Sequence, residues 1–216
     1  MNRAGIVILI SGRGSNMQAI LEAARAGDFP AEIRAVISNA PEAAGLERAR
    51  AADVATEVVN HRDYRNRTEF DRALMEKIDA RTPDLVALAG FMRILGPEFI
   101  DHYAGRLINI HPSLLPKFPG LDTHERALAS GAKVHGASVH FVTRDVDSGP
   151  IIIQTAVPVL AHDTPETLAA RVLEEEHRIY PQAIRWFAEK RLSIRDGRVL
   201  LDGAQRPEQG LVAASR

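Results

Sequence analysis

The sequence predicts an α/β fold, an open and mostly parallel twisted sheet with helices on both faces and an antiparallel hairpin in the C-terminal half. In the first half, short β-branched runs alternate with helical patterns, and this β-α-β rhythm implies parallel strands joined by right-handed crossovers. In the second half, two apolar strands are joined by the short connection 144–150, which favours a hairpin. A chain of 216 residues, 45% of them hydrophobic, is large enough to bury the core of such a domain.

The elements of the first half follow from hydrophobic periodicity and from the turn residues at their ends. The first strand runs into a glycine-rich turn, and the helix after it ends near Gly27. The third helix carries Phe70, Leu74 and Ile78 on one stripe, which is the spacing of an amphipathic helix. We predict strands over 5–11, 32–38, 56–60, 84–90 and 107–110, and helices over 16–26, 43–52, 63–80 and 98–103.

The second half of the chain has longer connections and a different order of elements. Thr164 and Pro165 predict the start of a helix, because threonine caps helices and proline is tolerated in the first turn. We predict hairpin strands over 136–143 and 151–159, this helix over 166–180, and a small hairpin over 191–201 that turns at Asp196-Gly197. We expect one domain over 1–202, with halves of about 1–105 and 106–202, and a flexible polar tail over 203–216.

Charge and cysteine content exclude several classes of function. The net charge of -1 creates no field that would attract nucleic acid or an acidic membrane surface. The absence of cysteine excludes disulfides, thiolate zinc sites and a cysteine nucleophile. No segment has the pattern of a signal peptide or a membrane span. We therefore expect a cytoplasmic protein that binds small molecules, with no nucleic acid and no membrane among its partners.

Three unusual segments follow predicted strands of the first half. The segment 11–16 follows the first strand, 90–93 follows the fourth, and 109–111 ends the fifth. In an open parallel sheet, ligands bind outside the carboxyl ends of the strands. We therefore expect these three segments to share one rim of the sheet, where they would form the binding site.

The segment 11–16, Ser-Gly-Arg-Gly-Ser-Asn, is a glycine-rich turn that opens a helix. Its backbone N–H groups and the helix dipole favour one compact phosphate. It is not a P-loop, since no Lys-Ser/Thr pair follows, and it is a poor dinucleotide fingerprint because the third glycine is missing. The second strand ends in Ser38-Asn39 and not in the acidic residue that holds a ribose, which disfavours a dehydrogenase. A tight turn without a ligand is the alternative.

Asn109 and His111 project from the same side of the fifth strand, because strand side chains alternate between two faces. An amide and an imidazole placed there can hydrogen-bond a carbonyl and stabilise the oxyanion formed from it. The alternative is a pair that only satisfies the loop backbone. In the connection 145–150, Asp147 would favour the imidazolium form of His111 if it reached that ring, although the same residues also form an ordinary turn.

Two other groups of residues have a functional and a structural interpretation. The segment 92–95, Met-Arg-Ile-Leu, could wall a flat aromatic ligand, or it could be core with one surface arginine. His124, His135 and His140 could form a metal site with Asp147, but no His-Glu-x-x-His spacing is present. We therefore expect no metal.

Together these motifs resemble the folate-dependent glycinamide ribonucleotide formyltransferases of purine synthesis. The resemblance extends from the first strand to about Trp186 and is carried by residues 10–16, 88–95, 109–116 and 138–150. Two positions depart from the family pattern: Asp122 stands where close relatives have histidine, and Ser148 stands where glycine is common. Neither belongs to the residues that would carry the chemistry.

The resemblance implies a role for each motif. Asn109, His111 and Asp147 match the family's catalytic residues, and the first half of the domain would be the ribonucleotide half and the second the folate and catalytic half. The residues that would bind the ribonucleotide, mainly through its phosphate, are Gly14, Ser15, Asn16 and Glu176. The residues that would bind the co-substrate 10-formyltetrahydrofolate are Arg67, Met92, Arg93, Ile94, Leu95, Val142, Thr143, Arg144, Asp145 and Val146.

The implied reaction is a direct attack of the substrate amine on the formyl carbon, without a covalent enzyme intermediate. A methionyl-tRNA formyltransferase would add a basic C-terminal domain, for which this chain lacks the length and charge. A formyltetrahydrofolate hydrolase would add an N-terminal regulatory domain, whereas the first strand here begins near Gly5. A binding module without turnover would lack a catalytic residue, and none is missing. We expect small-molecule partners and a monomer or homodimer.

Overall fold

The structure is a computed structural model that describes residues 3–210 and 212–213. The chain divides into two compact units, Met1–Asn109 and Ile110–Arg216, and the division falls within the fifth strand. The expected boundary near residue 105 is close to this division. The assignment of a ribonucleotide half and a folate half stays a prediction.

The first unit alternates strands and helices in the predicted order. Its strands are β1 (Ala4–Ile10), β2 (Ala31–Ser38), β3 (Thr56–Val58), β4 (Leu85–Leu88) and the start of β5 (Leu107–His111). Its helices are α1 (Ser15–Arg25), α2 (Gly45–Ala51), α3 (Arg67–Asp79) and α4 (Pro97–His102), with a 3₁₀ turn at His61–Asp63.

The strands of the first unit form a parallel sheet in the order β3-β2-β1-β4-β5, which confirms the predicted parallel arrangement. The strand β1 lies between β2 and β4, and its residues from Ile6 to Ile10 are fully buried. Such a continuous apolar run is typical of a strand that is covered on both faces. Because the strands are parallel, the segments 11–16, 39–40 and 89–93 all leave the sheet at its carboxyl edge.

The helix α3 begins later than predicted. Asn66 caps it by accepting a hydrogen bond from the Glu69 N–H, whereas residues 61–63 form a separate 3₁₀ turn that Asn60 caps. The prediction over 63–80 was wrong at this end. Asn60 and Asn66 each cap an element, and the second cap divides one polar stretch into a 3₁₀ turn and a helix. The predicted stripe of Phe70, Leu74 and Ile78 is buried.

The second unit contains the predicted antiparallel hairpin and a second, separate one. Strands β6 (Val134–Phe141) and β7 (Ile151–Pro158) pair antiparallel, with an irregularity between Val139 and His140. Strands β8 (Leu192–Arg195) and β9 (Arg198–Leu201) also pair antiparallel around the Asp196-Gly197 turn. The helices are α5 (Thr123–Ala129), which the sequence did not predict, and α6 (Pro165–Ala188).

The helix α6 continues eight residues beyond its predicted end at Tyr180, through Pro181. Proline normally interrupts a helix because it lacks an N–H and its ring crowds the preceding turn. Here the apolar stripe continues past the proline, and Ala183, Ile184 and Trp186 are all buried. Packing of this second stretch offsets the lost hydrogen bond. In the described part of the chain, no helix is both long and apolar enough to cross a membrane.

The predicted tail over 203–216 contains two short elements. A 3₁₀ turn lies at Pro207–Gln209, and a strand β10 (Val212–Ala213) pairs parallel with β7. The Gln209 Nε2 donates to the carbonyl oxygens of Ile152 and Val199, each at 3.2 Å. Residues 211 and 214–216 lie outside the described residues, so flexibility of the tail stays a prediction.

Candidate active site

The glycine-rich turn between β1 and α1 has the backbone geometry that an anion site requires. Gly14 has a φ of 70°, and a Cβ added there would lie 3.0 Å from the Gly45 Cα. The Gly45 N–H donates to the Gly12 carbonyl at 3.0 Å, which fixes the turn against the start of α2. Among the described side chains, none caps the N-terminus of α1. The first N–H groups of α1, at Ser15 and Asn16, lie at the helix end where the dipole favours an anion.

The segment 92–95 lies in the first unit, beyond the end of β4. Met92 and Ile94 are 64% and 69% exposed, Arg93 is exposed, and Leu95 is buried. Arg67, the other folate-binding residue predicted in this unit, is exposed at the first position of α3. Exposed large apolar side chains commonly mark a ligand or partner surface, which fits the predicted role of this segment.

His111 and Asp147 come together in the second unit, although they are 36 positions apart in the sequence. The His111 Nδ1 lies 3.3 Å from the Asp147 Oδ2, and both side chains are largely buried. The Gly120 N–H donates to the same carboxylate oxygen at 2.8 Å, and the His140 Nε2 lies 3.7 Å from Oδ1. Asn109 precedes His111 by two positions in β5 and is half-buried.

Both nitrogens of the His111 ring face hydrogen-bond acceptors of the protein. The His111 Nε2 lies 2.9 Å from the Phe118 carbonyl oxygen, which can only accept a hydrogen bond. The Nδ1 faces the Asp147 carboxylate, which is also an acceptor when ionised. A neutral ring carries one proton and would direct a lone pair at one of these two acceptors. An imidazolium carries a proton on each nitrogen and satisfies both.

Three other histidines of this unit, of which His135 and His140 are buried and His124 is half-buried, have a lowered pKa. Burial is the largest cause that lowers the pKa of His124, His135 and His140, and for His135 it lowers the pKa to about 4. The rings of His124 and His135 meet edge to face, 5.2 Å apart. For each of these three residues the lowered pKa favours the neutral ring.

The low pKa of His135 predicts a pH dependence of stability. A group with a folded pKa of about 4 and an ordinary value of 6.5 contributes fully above pH 6.5, and its contribution falls as pH drops toward 4. The contribution lost across this window is about 3 kcal/mol, as an order of magnitude. In urea unfolding, His135→Phe should flatten the fall in unfolding free energy between pH 7 and pH 4.5. His162→Phe, at an exposed histidine, is the control and should leave that slope unchanged; equal slopes in wild type and His135→Phe would contradict the prediction.

A buried hydroxyl fixes the chain that follows His111. Ser138, in β6, donates to the Ser113 carbonyl at 2.6 Å and accepts from the Leu115 N–H at 3.1 Å and the Gln154 Nε2 at 2.7 Å. Ser138 is fully buried. Its single hydroxyl therefore holds all three partners at a place shielded from water. Such a satisfied polar network rigidifies the segment that it holds. It holds the residues directly after β5.

The connection between β6 and β7 folds tightly, which brings Asp147 to His111. A Cβ on Gly149 would lie 1.8 Å from the Phe141 carbonyl oxygen, so only glycine fits there. Asp147 itself has a φ of 50°, and the Ser148 hydroxyl donates to the Val146 carbonyl at 3.0 Å. The predicted folate-binding residues of this connection are half-buried at its start, at Val142 and Thr143, and exposed at Arg144, Asp145 and Val146.

Glu176, which is predicted to bind the ribonucleotide, and the two positions that depart from the family pattern also have definite places in the structure. Glu176 is buried in α6, and burial followed by its charge raises the pKa of Tyr180 one turn later. Asp122 has a φ of 55° and immediately precedes α5. Both positions that depart from the family pattern, 122 and 148, thus lie in turns.

Several supporting residues were not identified from the sequence. Through hydrogen bonds they hold the predicted site segments or the residues directly after β5. The signal for four of them was a polar residue within or directly after an apolar strand, whereas Asp71 is a polar residue buried in the helix α3. The supporting residues are Ser11, Asn39, Asp71, Ser138 and Gln154.

Comparisons with known proteins agree with the motifs. A family model described as formyl transferase matches residues 4–184. The phosphoribosylglycinamide formyltransferase of Escherichia coli strain K12 is 52% identical over 208 residues, which are 96% of this chain and 98% of that protein. The human trifunctional purine biosynthetic protein adenosine-3 is 48% identical over 186 residues, 86% of this chain and 18% of that protein. The solved phosphoribosylglycinamide formyltransferase from Coxiella burnetii has a TM-score of 0.91 at 51% identity, covering 98% of this chain and 99% of that one.

Proposed function

Since this chain belongs to the formyl transferase family, and within it to the phosphoribosylglycinamide formyltransferases, we propose that it transfers a formyl group from 10-formyltetrahydrofolate to the amine of glycinamide ribonucleotide in purine biosynthesis. The observation that carries this proposal is the buried pair of His111 and Asp147, 3.3 Å apart, at the end of a strand that also presents Asn109. In this proposal the His111 ring donates a hydrogen bond to the developing oxyanion, and Asp147 orients that ring.

The chemistry requires one bond to form and one to break. The new bond joins the ribonucleotide amine to the formyl carbon, the bond from that carbon to N10 of the folate breaks, and one proton passes from the amine to N10. His111, as imidazolium, and the Asn109 amide would stabilise the negative charge that develops on the formyl oxygen. Each such donor contributes about 10²- to 10³-fold in rate.

Asp147 has two tasks in this proposal. Its carboxylate favours the charged form of His111, because an adjacent anion stabilises a cation. It would also hold the water through which the proton moves between the two nitrogens. The Gly120 N–H fixes the carboxylate for both tasks by donating to Oδ2.

The Phe118 carbonyl must release His111 before the ring can donate to the formyl oxygen. Both ring nitrogens of His111 face acceptors of the protein, and Nδ1 is the one that faces Asp147. The nitrogen available for substrate is therefore Nε2, now directed at the Phe118 carbonyl. We propose that the formyl oxygen replaces that carbonyl when the substrates bind.

The binding residues fit the chemistry of the two substrates. The N-terminus of α1, which has no side-chain cap, suits the phosphate, and we propose Gly14, Ser15 and Asn16 for it, with Glu176 for the same substrate. In each unit, the residues proposed for folate include exposed apolar ones, namely Met92 and Ile94 in the first unit and Val146 in the second. Apolar side chains of this kind suit the flat pterin ring. The proposed folate set also includes Arg67, Arg93, Leu95, Val142, Thr143, Arg144 and Asp145.

A spectrophotometric assay of tetrahydrofolate release tests the function. The purified protein should release tetrahydrofolate with glycinamide ribonucleotide and not with initiator methionyl-tRNA or with water alone. Release with water at the same rate would instead indicate a hydrolase, and release with the tRNA would indicate the other relative. Either result would overturn the proposed acceptor.

The phosphate site can be tested separately at Gly14. The Gly14→Ala side chain would be strained at a φ of 70° and would press on Gly45, which distorts the turn. A cost of about 1–2 kcal/mol should raise KM for the ribonucleotide about tenfold and change KM for the folate much less. Gly12→Ala is the matched control, because a Cβ there has nothing within 4 Å and both KM values should stay near wild type. Equal rises in the two KM values for Gly14→Ala would show that the phosphate binds elsewhere.

We further propose a cytoplasmic location and small-molecule partners, without nucleic acid or metal, for a monomer or homodimer. The absence of cysteine fits a reducing compartment. The near-zero net charge gives no attraction to polyanions.

A further inference from the structure

Two side-chain oxygens hold the exposed apolar segment 92–95 at its ends. At the start, the Met92 N–H donates to the Ser11 Oγ at 2.7 Å. Just beyond its end, the Gly96 N–H donates to the Asp71 Oδ2, also at 2.7 Å. Because Met92 and Ile94 themselves are largely exposed, their position depends strongly on these two anchors of the backbone.

The Ser11 anchor belongs to the glycine-rich turn. Its hydroxyl donates to the Asn39 Oδ1 at 2.5 Å while it accepts from Met92, and its N–H donates to the Gly90 carbonyl at 3.2 Å. A serine hydroxyl has a single proton, so the bond to Asn39 leaves the oxygen lone pairs free to accept from Met92. Ser11 therefore connects the ends of β1, β2 and β4 through one side chain.

The Ser11 hydroxyl and the proposed phosphate site are parts of one braced turn. Gly14 follows Ser11 by three residues, and the bond from the Gly45 N–H to the Gly12 carbonyl fixes the residues between them. A phosphate bound at residues 14–16 would therefore contact the same turn that carries Ser11. The Asp71 anchor is separate from this turn, because Asp71 lies buried in α3. Burial raises the pKa of the Asp71 carboxyl, and the hydrogen bond from the Gly96 N–H lowers it.

We propose that Ser11 is a positioning residue that couples the binding of the two substrates. A phosphomonoester at residues 14–16 stabilises the turn in the arrangement that holds Met92, and this favours folate binding at 92–95. The assignment of the phosphomonoester to residues 14–16 and of the folate to residues 92–95 rests on the proposed function. Since coupling between two sites is reciprocal, folate must favour the phosphomonoester by the same factor.

Calorimetric titration of the full chain with tetrahydrofolate, in oxygen-free buffer, measures this coupling. The Kd is determined without and with saturating ribose 5-phosphate, and the ratio of the two values is the coupling factor. In the wild type, ribose 5-phosphate should tighten tetrahydrofolate binding at least about fivefold. Ser11→Ala should reduce the factor to about one, and Ser11→Thr, which keeps the hydroxyl, should restore it.

Asp71→Ala is the matched control, because it releases the other end of the same segment without touching the turn. It should weaken tetrahydrofolate binding in both conditions and keep the wild-type factor. A factor of one in the wild type, an unchanged factor in Ser11→Ala, or an equal loss in Asp71→Ala would each overturn the proposal. If circular dichroism shows that Ser11→Ala does not fold, Ser11→Cys is used, whose weaker hydrogen bonding should give an intermediate factor.

The titration needs no turnover, so it separates this inference from the proposed reaction. A protein that shows coupling but no formyl transfer would retain the role of Ser11 and refute the activity. A protein that transfers the formyl group but shows no coupling would support the activity and refute the role of Ser11.

Discussion

His111→Ala and Asn109→Ala should each lower kcat by about two to three orders of magnitude, while the affinity for tetrahydrofolate stays within a few-fold of wild type. Both side chains act in the proposal on charge that exists only in the transition state, so ground-state binding should change little. Steady-state kinetics with both substrates, together with the calorimetric Kd of tetrahydrofolate, measure the two effects separately.

The double variant of Asn109 and His111 tests whether the two residues act on the same oxygen. Residues that act as a unit are strongly non-additive, so the combined loss should be much smaller than the product of the single losses. His162→Ala, at an exposed histidine, should leave kcat unchanged. Near-normal kcat in either single variant would exclude the proposed oxyanion stabilisation.

Asp147→Asn should lower kcat by about 10²- to 10⁴-fold, the range in which proton-transfer groups contribute. The amide keeps the shape of the side chain and removes its charge. The substitution removes the anion that lies 3.3 Å from the His111 Nδ1, and an adjacent anion favours a charged ring over a neutral one. Nitrogen NMR of the His111 ring at pH 7 should show a shift from imidazolium toward neutral imidazole.

Asp196→Asn provides a matched control for Asp147→Asn. Both aspartates have a positive φ, 48° at Asp196 and 50° at Asp147, but Asp196 is exposed in the turn between β8 and β9. The control should change neither kcat nor the His111 ring. If Asp147→Asn lost activity while the His111 ring stayed charged, Asp147 would act only by placing water or ordering its connection.

The sequence by itself determined the order and type of most elements and the segments that we propose carry the chemistry. Strands such as β1 are continuous apolar runs, and α3 has a regular apolar stripe, so local periodicity is sufficient to identify them. The glycines at positions 14 and 149 and the order of the motifs are also visible in the amino-acid sequence alone. These features led to the family that the comparisons then showed.

Only the tertiary structure decided which residues support the site. The contact between His111 and Asp147 depends on a 36-residue excursion of the chain, whose path is set by the pairing of β6 with β7. The continuation of α6 through Pro181 is a tertiary effect as well, since burial of the residues beyond it outweighs the local cost of proline. Ser11 and Ser138 are short polar residues without a periodic pattern. Their roles arise from partners that are distant in sequence, because a hydrogen bond between segments far apart in the chain leaves no local signal.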